Sequence, residues 1–157
     1  SPTVRERLAT EIKAKALAWG VAMATAREID ARGIEWANRI AFTRAVRACL
    51  RRAPGIDPGL VLVEIDGTRE AWRLGMRQVT IIDGDETRPP IAAASILAKT
   101  ERDRYVAGVM HARFPQYGFD RHKGYGTAEH RAAIAAWGPS PYHRMSFGPL
   151  RRAAGHE

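Results

Sequence analysis

The chain has 157 residues, of which 45% are hydrophobic and 27% are charged. This length suits a single domain with one sizeable core, and the composition excludes the disordered and fibrous classes. There are 25 Lys and Arg residues against 17 Asp and Glu, a net charge of +8, so polyanionic partners such as nucleic acid are favoured and basic partners are disfavoured.

The hydrophobic pattern changes period several times in the first third of the chain. Apolar residues at helical spacing predict helices, and short continuous apolar runs predict strands. The expected elements are a helix over residues 4–19 that stops at Gly20, a strand over residues 21–24, a turn over residues 28–33 and a helix over residues 35–51.

Two later apolar runs end in aspartate. The run from Leu60 to Ile65 precedes Asp66, and the run from Val79 to Ile82 precedes Asp83, Gly84 and Asp85. Open α/β sheets bind ligands at the carboxyl ends of their strands, and neighbouring carboxylates repel each other unless a hard cation lies between them. The sequence therefore predicts a Mg²⁺ site at Asp66 and Asp85, with Asp83 as the less favoured alternative to Asp85. Each aspartate taken alone is also ordinary turn chemistry.

The second half of the chain is predicted to be helical. Pro89-Pro90 opens a long helix over residues 91–113, whose small residues permit close packing, and Lys99 follows Ser95 on the same face. Thr127 is expected to cap a helix that runs to Trp137. Helices that alternate with about three strands indicate a layered α/β domain with fewer strands than is usual.

The segment from Phe114 to Thr127 combines aromatic residues, glycines and cations. Aromatic rings stack on sugars and bases, and lysine contacts phosphate, so nucleic-acid binding is one interpretation. A rigid turn with Tyr125 packed inside it is the other. His130 and His143 have no zinc-ligand spacing, and we expect them to be hydrogen-bonded or on helix surfaces.

Compartment and charge carry less information. A single cysteine, Cys49, excludes an internal disulfide and fits a reducing compartment, and no apolar run is long enough to span a membrane. We therefore expect a cytoplasmic monomer without a membrane partner. Only four of the 25 basic residues are Lys, and the excess of Arg fits phosphate recognition and biased genome composition equally well.

Together these segments resemble bacterial ribonuclease HII in order and spacing across nearly the whole chain. The strings AAASILAK and HKGYGT are the most specific. The matching segments are Glu11 to Leu17, Ile29-Asp30, Ile65 to Gly67, Gly84-Asp85, Ile91 to Lys99, Arg102-Asp103, Phe114 to Phe119, His122 to Thr127, Gly138 to Pro141 and His143-Arg144.

The resemblance implies an endonuclease that uses Mg²⁺ or Mn²⁺ to cut the RNA strand of RNA–DNA hybrids and single ribonucleotides in duplex DNA, leaving 5′-phosphate ends. Asp66 and Asp85 would be the family's third and fourth acids, with Asp66 the direct metal ligand and Asp85 the assisting carboxylate. Tyr125 would pack on the sugar at the ribonucleotide junction. Lys99, Lys123 and Arg144 would contact phosphates.

The fold that the resemblance implies is a ribonuclease H-like layered α/β fold with a mixed sheet. Residues 1–157 would form one domain, with sheet and helices over about 1–110 and a helical, substrate-binding region over 111–157. The family's first two acids lie in a DExGRG-type motif, which these residues lack. We expect a chain without its amino-terminal segment and first strands, unstable or altered in its sheet, and inactive. The alternatives are a non-catalytic nucleic-acid-binding remnant and an unrelated phosphotransfer domain.

Overall fold

The computed structural model describes residues 1–148 and 150. Two compact units divide them, one formed by Ser1–Ala24 and Glu35–Thr100 and the other by Thr25–Ile34 and the chain from Glu101 onward. Residue 149 and residues 151–157, which belong to the predicted substrate-binding region, lie outside the described part. Within that part, no helix is both long and apolar enough to cross a membrane.

The described chain is mostly helical, with one small sheet. In chain order its elements are α1 (Pro2–Lys15), α2 (Ala26–Arg32), α3 (Ile34–Arg51), β1 (Leu62–Asp66), β2 (Arg77–Ile81), α4 (Gly84–Thr87), α5 (Pro89–Tyr105), a π-helical turn (Val106–Met110), α6 (His111–Arg113), α7 (Phe119–His122) and α8 (Ala128–Trp137). Short 3-10 turns cover Pro58–Leu60 and Pro115–Tyr117.

The sheet of the first unit has two parallel strands, with Leu62 opposite Arg77 and Asp66 opposite Ile81. Side chains alternate between the faces of a strand, so Val63 and Ile65 share one face of β1 and Glu64 and Asp66 the other. Ile65 is buried with Ala71 and Leu74, and Phe42 and Val46 of α3 pack against this core. The prediction of a mixed sheet was wrong for the described residues, which contain one parallel pair.

The predicted strand over residues 21–24 was also wrong, because this segment lies on α3 and has no ladder partner in the described part. Backbone carbonyls in and just before this stretch accept hydrogen bonds from arginine side chains instead. The Arg44 guanidinium donates to the Met23 carbonyl at 3.1 Å, and that of Arg52 donates to the Trp19 carbonyl at 2.9 Å. The Arg52 guanidinium also lies 3.8 Å from the Trp19 ring centroid. An apolar run alone did not distinguish a strand from extended chain held by arginines.

The predicted turn over residues 28–33 is instead the helix α2. Its first turn has a capping box, in which the Thr25 hydroxyl accepts from the Glu28 amide and the Glu28 carboxylate accepts from the Thr25 amide. The second unit is centred on a core formed by Val106, Tyr117 and Phe119. The predicted helices over residues 35–51, 91–113 and 127–137 are confirmed, apart from the π-helical turn within the second.

Candidate carboxylate pair and nucleic-acid interface

Asp66 ends β1, as predicted, and one of its oxygens is occupied. Its Oδ1 accepts a hydrogen bond from the Gly84 amide at 2.9 Å. Gly84 is buried, and a Cβ built there would lie 2.6 Å from the Ile91 side chain and 3.4 Å from this same oxygen. A glycine at position 84 therefore lets the backbone after β2 approach the Asp66 carboxylate closely.

Asp85 lies in the first turn of α4, four residues beyond the end of β2, rather than at the strand end itself. Its carboxylate is 3.8 Å from the Lys99 ammonium on α5. Asp83, the alternative ligand, adopts the left-handed conformation with φ of 52° and caps no helix with its side chain. The structure thus joins Asp66, Gly84, Asp85 and Lys99 into one local group.

The carboxylate pair does not amount to a complete metal centre. Within the described residues there is no group of three or more His, Cys, Asp or Glu side chains arranged to hold a metal ion. Mg²⁺ prefers octahedral oxygen ligands, and catalytic pairs of such ions need more carboxylates than these two. The assignment of Asp66 and Asp85 as Mg²⁺ or Mn²⁺ ligands therefore stays a prediction.

Tyr125 is an exposed aromatic residue in the second unit's tight turn over residues 122–127. Its side chain is 54% exposed, and the Arg102 guanidinium carbon lies 4.7 Å from the centroid of its ring. The Tyr125 amide donates to the His122 carbonyl at 2.9 Å, and the Tyr125 carbonyl is also hydrogen-bonded. The ring is thus more than half exposed while its backbone is hydrogen-bonded, contrary to the packed-tyrosine alternative.

Lys123 and Arg144 also belong to the second unit, and both already have intramolecular contacts. The Lys123 ammonium donates to the Asp120 carbonyl, and Lys123 has a left-handed φ of 52°. The Arg144 guanidinium carbon lies 4.2 Å from the Phe147 ring centroid. A phosphate contact by Lys123 would have to replace its carbonyl partner.

Asp30 holds the segment that carries Arg144. Its carboxylate accepts from the amides of Met145 and Ser146, each at 2.9 Å, and from the Ser146 hydroxyl at 2.6 Å. Burial opposes ionisation of Asp30, but these hydrogen bonds and the charge of Arg144 outweigh it and lower the pKa of the carboxyl. Ile29-Asp30 was among the matching segments, yet its sequence gave no sign of this contact across more than a hundred residues.

Sequence reasoning also missed how the histidines are arranged. His122, His130 and His143 are all buried, and the rings of His122 and His130 stack with centroids 4.4 Å apart. The predicted hydrogen-bonded state of His130 and His143 is confirmed, because their Nε2 atoms are 3.0 Å apart. Spacings of eight and thirteen residues carry no local signal for such a cluster.

The family model for ribonuclease HII matches residues 1–149. The chain belongs to the ribonuclease HII family. This membership confirms the resemblance and rules out an unrelated phosphotransfer domain. It also implies a ribonuclease H-like fold, and the described residues contain a two-stranded parallel sheet and are otherwise mostly helical.

Curated ribonuclease HII proteins are similar to most of the chain. The chain is 50% identical to ribonuclease HII of Ralstonia nicotianae over 149 residues, which are 95% of the chain and 61% of that relative. It is 49% identical to ribonuclease HII of Bordetella avium over 94% of the chain and 68% of the relative. It is 48% identical to ribonuclease HII of Verminephrobacter eiseniae over 98% of the chain and 69% of the relative. The chain thus spans about two thirds of the length of these relatives.

Proposed function

We propose that the chain binds RNA–DNA hybrids and duplex DNA with embedded ribonucleotides in the cytoplasm, and contributes two carboxylates to metal-dependent hydrolysis of the RNA strand. We further propose that these 157 residues alone do not cleave. The observation that carries the proposal is the ribonuclease HII match over residues 1–149, which includes Asp66, Asp85 and the Tyr125 turn.

The binding part of the proposal rests on charge and on the Tyr125 turn. A net charge of +8 favours a polyanion, and binding through Lys and Arg releases the counterions of the duplex. The exposed Tyr125 ring offers apolar surface for stacking on a sugar or base, and the Arg102 guanidinium over the ring would supply a cation for a neighbouring phosphate. Lys99, Lys123 and Arg144 are proposed as further phosphate contacts.

The carboxylates are proposed to have unequal roles. A divalent cation, when bound, stabilises the charge that develops on a phosphodiester and activates water. Asp66 uses only Oδ1 in its described hydrogen bond, which leaves Oδ2 for a cation, whereas the Asp85 carboxylate faces Lys99 at 3.8 Å. We therefore assign Asp66 as the direct ligand and Asp85 as the assisting carboxylate.

A non-catalytic nucleic-acid-binding protein is the second candidate. It is favoured by the Asp85–Lys99 ion pair and by the incomplete ligand set of the described residues. Both candidates bind hybrid duplex. They differ in whether cleavage appears once the family's first two acids, which these residues lack, are supplied.

We expect the 157-residue chain to leave a duplex containing a single ribonucleotide uncut in Mg²⁺ or Mn²⁺, and to bind Mg²⁺ only weakly in calorimetric titration. Two carboxylates give too few ligands to hold the ion and neutralise the transition state. Asp66→Asn is the matched control, because it keeps an oxygen acceptor for the Gly84 amide but removes the charge. Metal-dependent cleavage by the unsubstituted chain that disappears in Asp66→Asn would refute the proposed inactivity.

We expect Tyr125→Ala to weaken binding of a hybrid duplex about tenfold, since stacking of one base or sugar on an aromatic ring contributes roughly 1–3 kcal/mol. Tyr125→Phe should bind within about twofold of the original chain, because it keeps the ring. Trp137→Ala is the control, since Trp137 is also an exposed aromatic residue of the second unit, 65% accessible. Fluorescence anisotropy at two salt concentrations measures all four. Equal losses in Tyr125→Ala and Trp137→Ala would argue against a specific contact.

A further inference from the structure

The turn that carries Tyr125 is attached to three buried histidines that the proposed chemistry does not use. The exposed fractions of His122, His130 and His143 are 7%, 7% and 9%. A buried imidazole costs free energy unless both of its nitrogens have partners of the correct kind. The hydrogen-bond partners of these rings therefore identify which nitrogen of each carries the proton.

The proton of His143 is fixed by a backbone amide. The Ser140 amide donates to His143 Nδ1 at 2.8 Å, and the Ser140 hydroxyl lies 2.8 Å from the same nitrogen. An amide N–H is only a donor, so Nδ1 is an acceptor and the neutral ring carries its proton on Nε2.

That proton determines the state of His130. The Nε2 atoms of His143 and His130 are 3.0 Å apart, so if one donates the other must accept. His143 donates, which leaves His130 with its proton on Nδ1. This Nδ1 lies 3.0 Å from the Tyr125 carbonyl oxygen, an acceptor, so the geometry closes without conflict.

The partners of His122, which contacts Gly124 just before Tyr125, assign its nitrogens in the same way. The Gly124 amide donates to His122 Nδ1 at 3.1 Å, and His122 Nε2 lies 2.6 Å from the Tyr117 carbonyl oxygen. In this arrangement His122 accepts at Nδ1 and donates from Nε2. The Gly124 amide and the Tyr125 carbonyl thus both contact buried histidines, and the Tyr125 carbonyl also accepts from the Thr127 amide at 2.8 Å.

We propose that His143 and His130 are positioning residues for Tyr125. A hydrogen-bond chain with one direction runs from the Ser140 amide through both rings to the Tyr125 carbonyl, and it holds the turn in the conformation that presents the Tyr125 ring to nucleic acid. The chain exists only while both rings are neutral. The proposal rests on the proposed function, because it assumes that the Tyr125 ring is a nucleic-acid contact.

Protonation conflicts with this arrangement at both rings. A second proton on His143 would point at the Ser140 amide, and a second proton on His130 would point at the Nε2–H of His143. Burial lowers the pKa of both rings, that of His143 to about 4. A neutral pair near pH 7 is the state that both the partners and the burial favour.

Aromatic rings lie against the His130–His143 pair. His122 stacks on His130, and the Tyr117 ring lies 5.1 Å from that of His143. Charged side chains on the same stretches of the described chain include Glu129 and Arg121, which pair with each other, and Arg131, which donates to the Gly126 carbonyl. Arg144 directly follows His143, and the Arg102 guanidinium lies over the Tyr125 ring.

The first test needs no nucleic acid. Long-range ¹H–¹⁵N spectra of the imidazoles in the 157-residue chain at pH 7 should show the Nε2–H tautomer for His122 and His143 and the Nδ1–H tautomer for His130. On acidification, the Tyr125 carbonyl carbon should shift with the same midpoint as His143, near pH 4. A different tautomer at His143 or His130, or a Tyr125 signal indifferent to the His143 titration, would overturn the proposal.

The second test uses two substitutions that each keep half of His143. His143→Gln places an amide donor near the position of Nε2 and keeps the bond to His130, whereas His143→Asn keeps only an acceptor for the Ser140 amide. Loss of one buried hydrogen bond corresponds to about a fivefold change in an equilibrium. We expect His143→Asn to weaken hybrid binding by up to about fivefold and His143→Gln to bind within twofold of the original chain.

The outcomes separate the two proposals. If Tyr125→Ala binds hybrid as well as the original chain, the proposed contact fails, whereas the imidazole spectra still decide whether the hydrogen-bond chain exists. If Tyr125→Ala weakens binding but His143→Asn and His143→Gln bind equally well, the positioning role is overturned. If His143→Asn fails to fold, the comparison of His143→Gln with the original chain and the Tyr125 carbonyl titration decide the matter.

Discussion

Between pH 7 and pH 4 the second unit is expected to lose up to about 3 kcal/mol of its free energy of unfolding through His143 alone. Burial, and next to it the electrostatic effect of His130, lower the pKa of His143 from 6.5 to about 4. Each unit of pKa difference between the folded and unfolded chain corresponds to about 1.4 kcal/mol.

The direction of the effect follows from proton binding. Between pH 6.5 and pH 4 the unfolded chain takes up a proton at His143 that the folded chain excludes, so acid favours unfolding. The contribution of His143 is therefore complete above about pH 6.5, decreases as the pH falls towards 4, and changes little below that. His130, whose pKa burial also lowers, acts in the same direction. The lowered pKa of Asp30 affects stability mainly below pH 3.8, its ordinary pKa, and therefore outside this window.

Urea unfolding at several pH values between 4 and 7 measures this slope. His143→Gln should be less stable than the original chain at pH 7 but should lose less stability on acidification, because it has no proton to take up at that position. His111→Gln is the matched control. The His111 Nδ1 lies 3.2 Å from an Asp120 carboxylate oxygen, and His111 is not part of the hydrogen-bond chain of His143 and His130. Parallel pH profiles for the original chain and His143→Gln would contradict the prediction.

The helices could be predicted because their signals are local. The periodicity of residues 35–51, the opening Pro89-Pro90 pair and the Thr127 cap each lie within one element, and all three helices are present. The capping box at Thr25 and Glu28 is an equally local signal, and it identifies α2 where a turn was predicted. Strand pairing depends on distant residues, so the apolar run at residues 21–24 was misread.

For the candidate site, too, local sequence signals were sufficient for some residues and not for others. Asp66, Asp85 and Tyr125 follow from short strings and from the ends of predicted elements, and their assignment as contacts stays a prediction. The position of Arg102 at the Tyr125 ring required the fold, since 23 residues separate them. The placement of Asp85 on α4 also required it, because the left-handed Asp83 redirects the chain after β2. A sequence pattern specifies which residues carry chemistry better than it specifies what supports them.

Gly20→Ala is expected to destabilise the first unit by about 3 kcal/mol, the upper end of the usual cost of overpacking. A Cβ at this position would lie 2.5 Å from the Cys49 amide nitrogen, 2.6 Å from the Ala45 carbonyl oxygen and 2.9 Å from the Ala48 carbonyl carbon. These are backbone atoms of α3, which cannot move aside as a flexible side chain would. Gly20 does not have a left-handed φ, so the steric conflict alone accounts for the effect.

Relief of this conflict requires the segment around Gly20 to move away from α3. The movement would weaken the hydrogen bonds that Arg52 and Arg44 donate to the Trp19 and Met23 carbonyls, since both bonds depend on close approach. Urea unfolding of Gly20→Ala beside Gly55→Ala measures the cost, because nothing lies within 4 Å of a Cβ at Gly55 and its φ is also ordinary. Gly55→Ala should change stability by less than about 1 kcal/mol. Equal stabilities for the two variants would show that residues 19–24 are not held against α3.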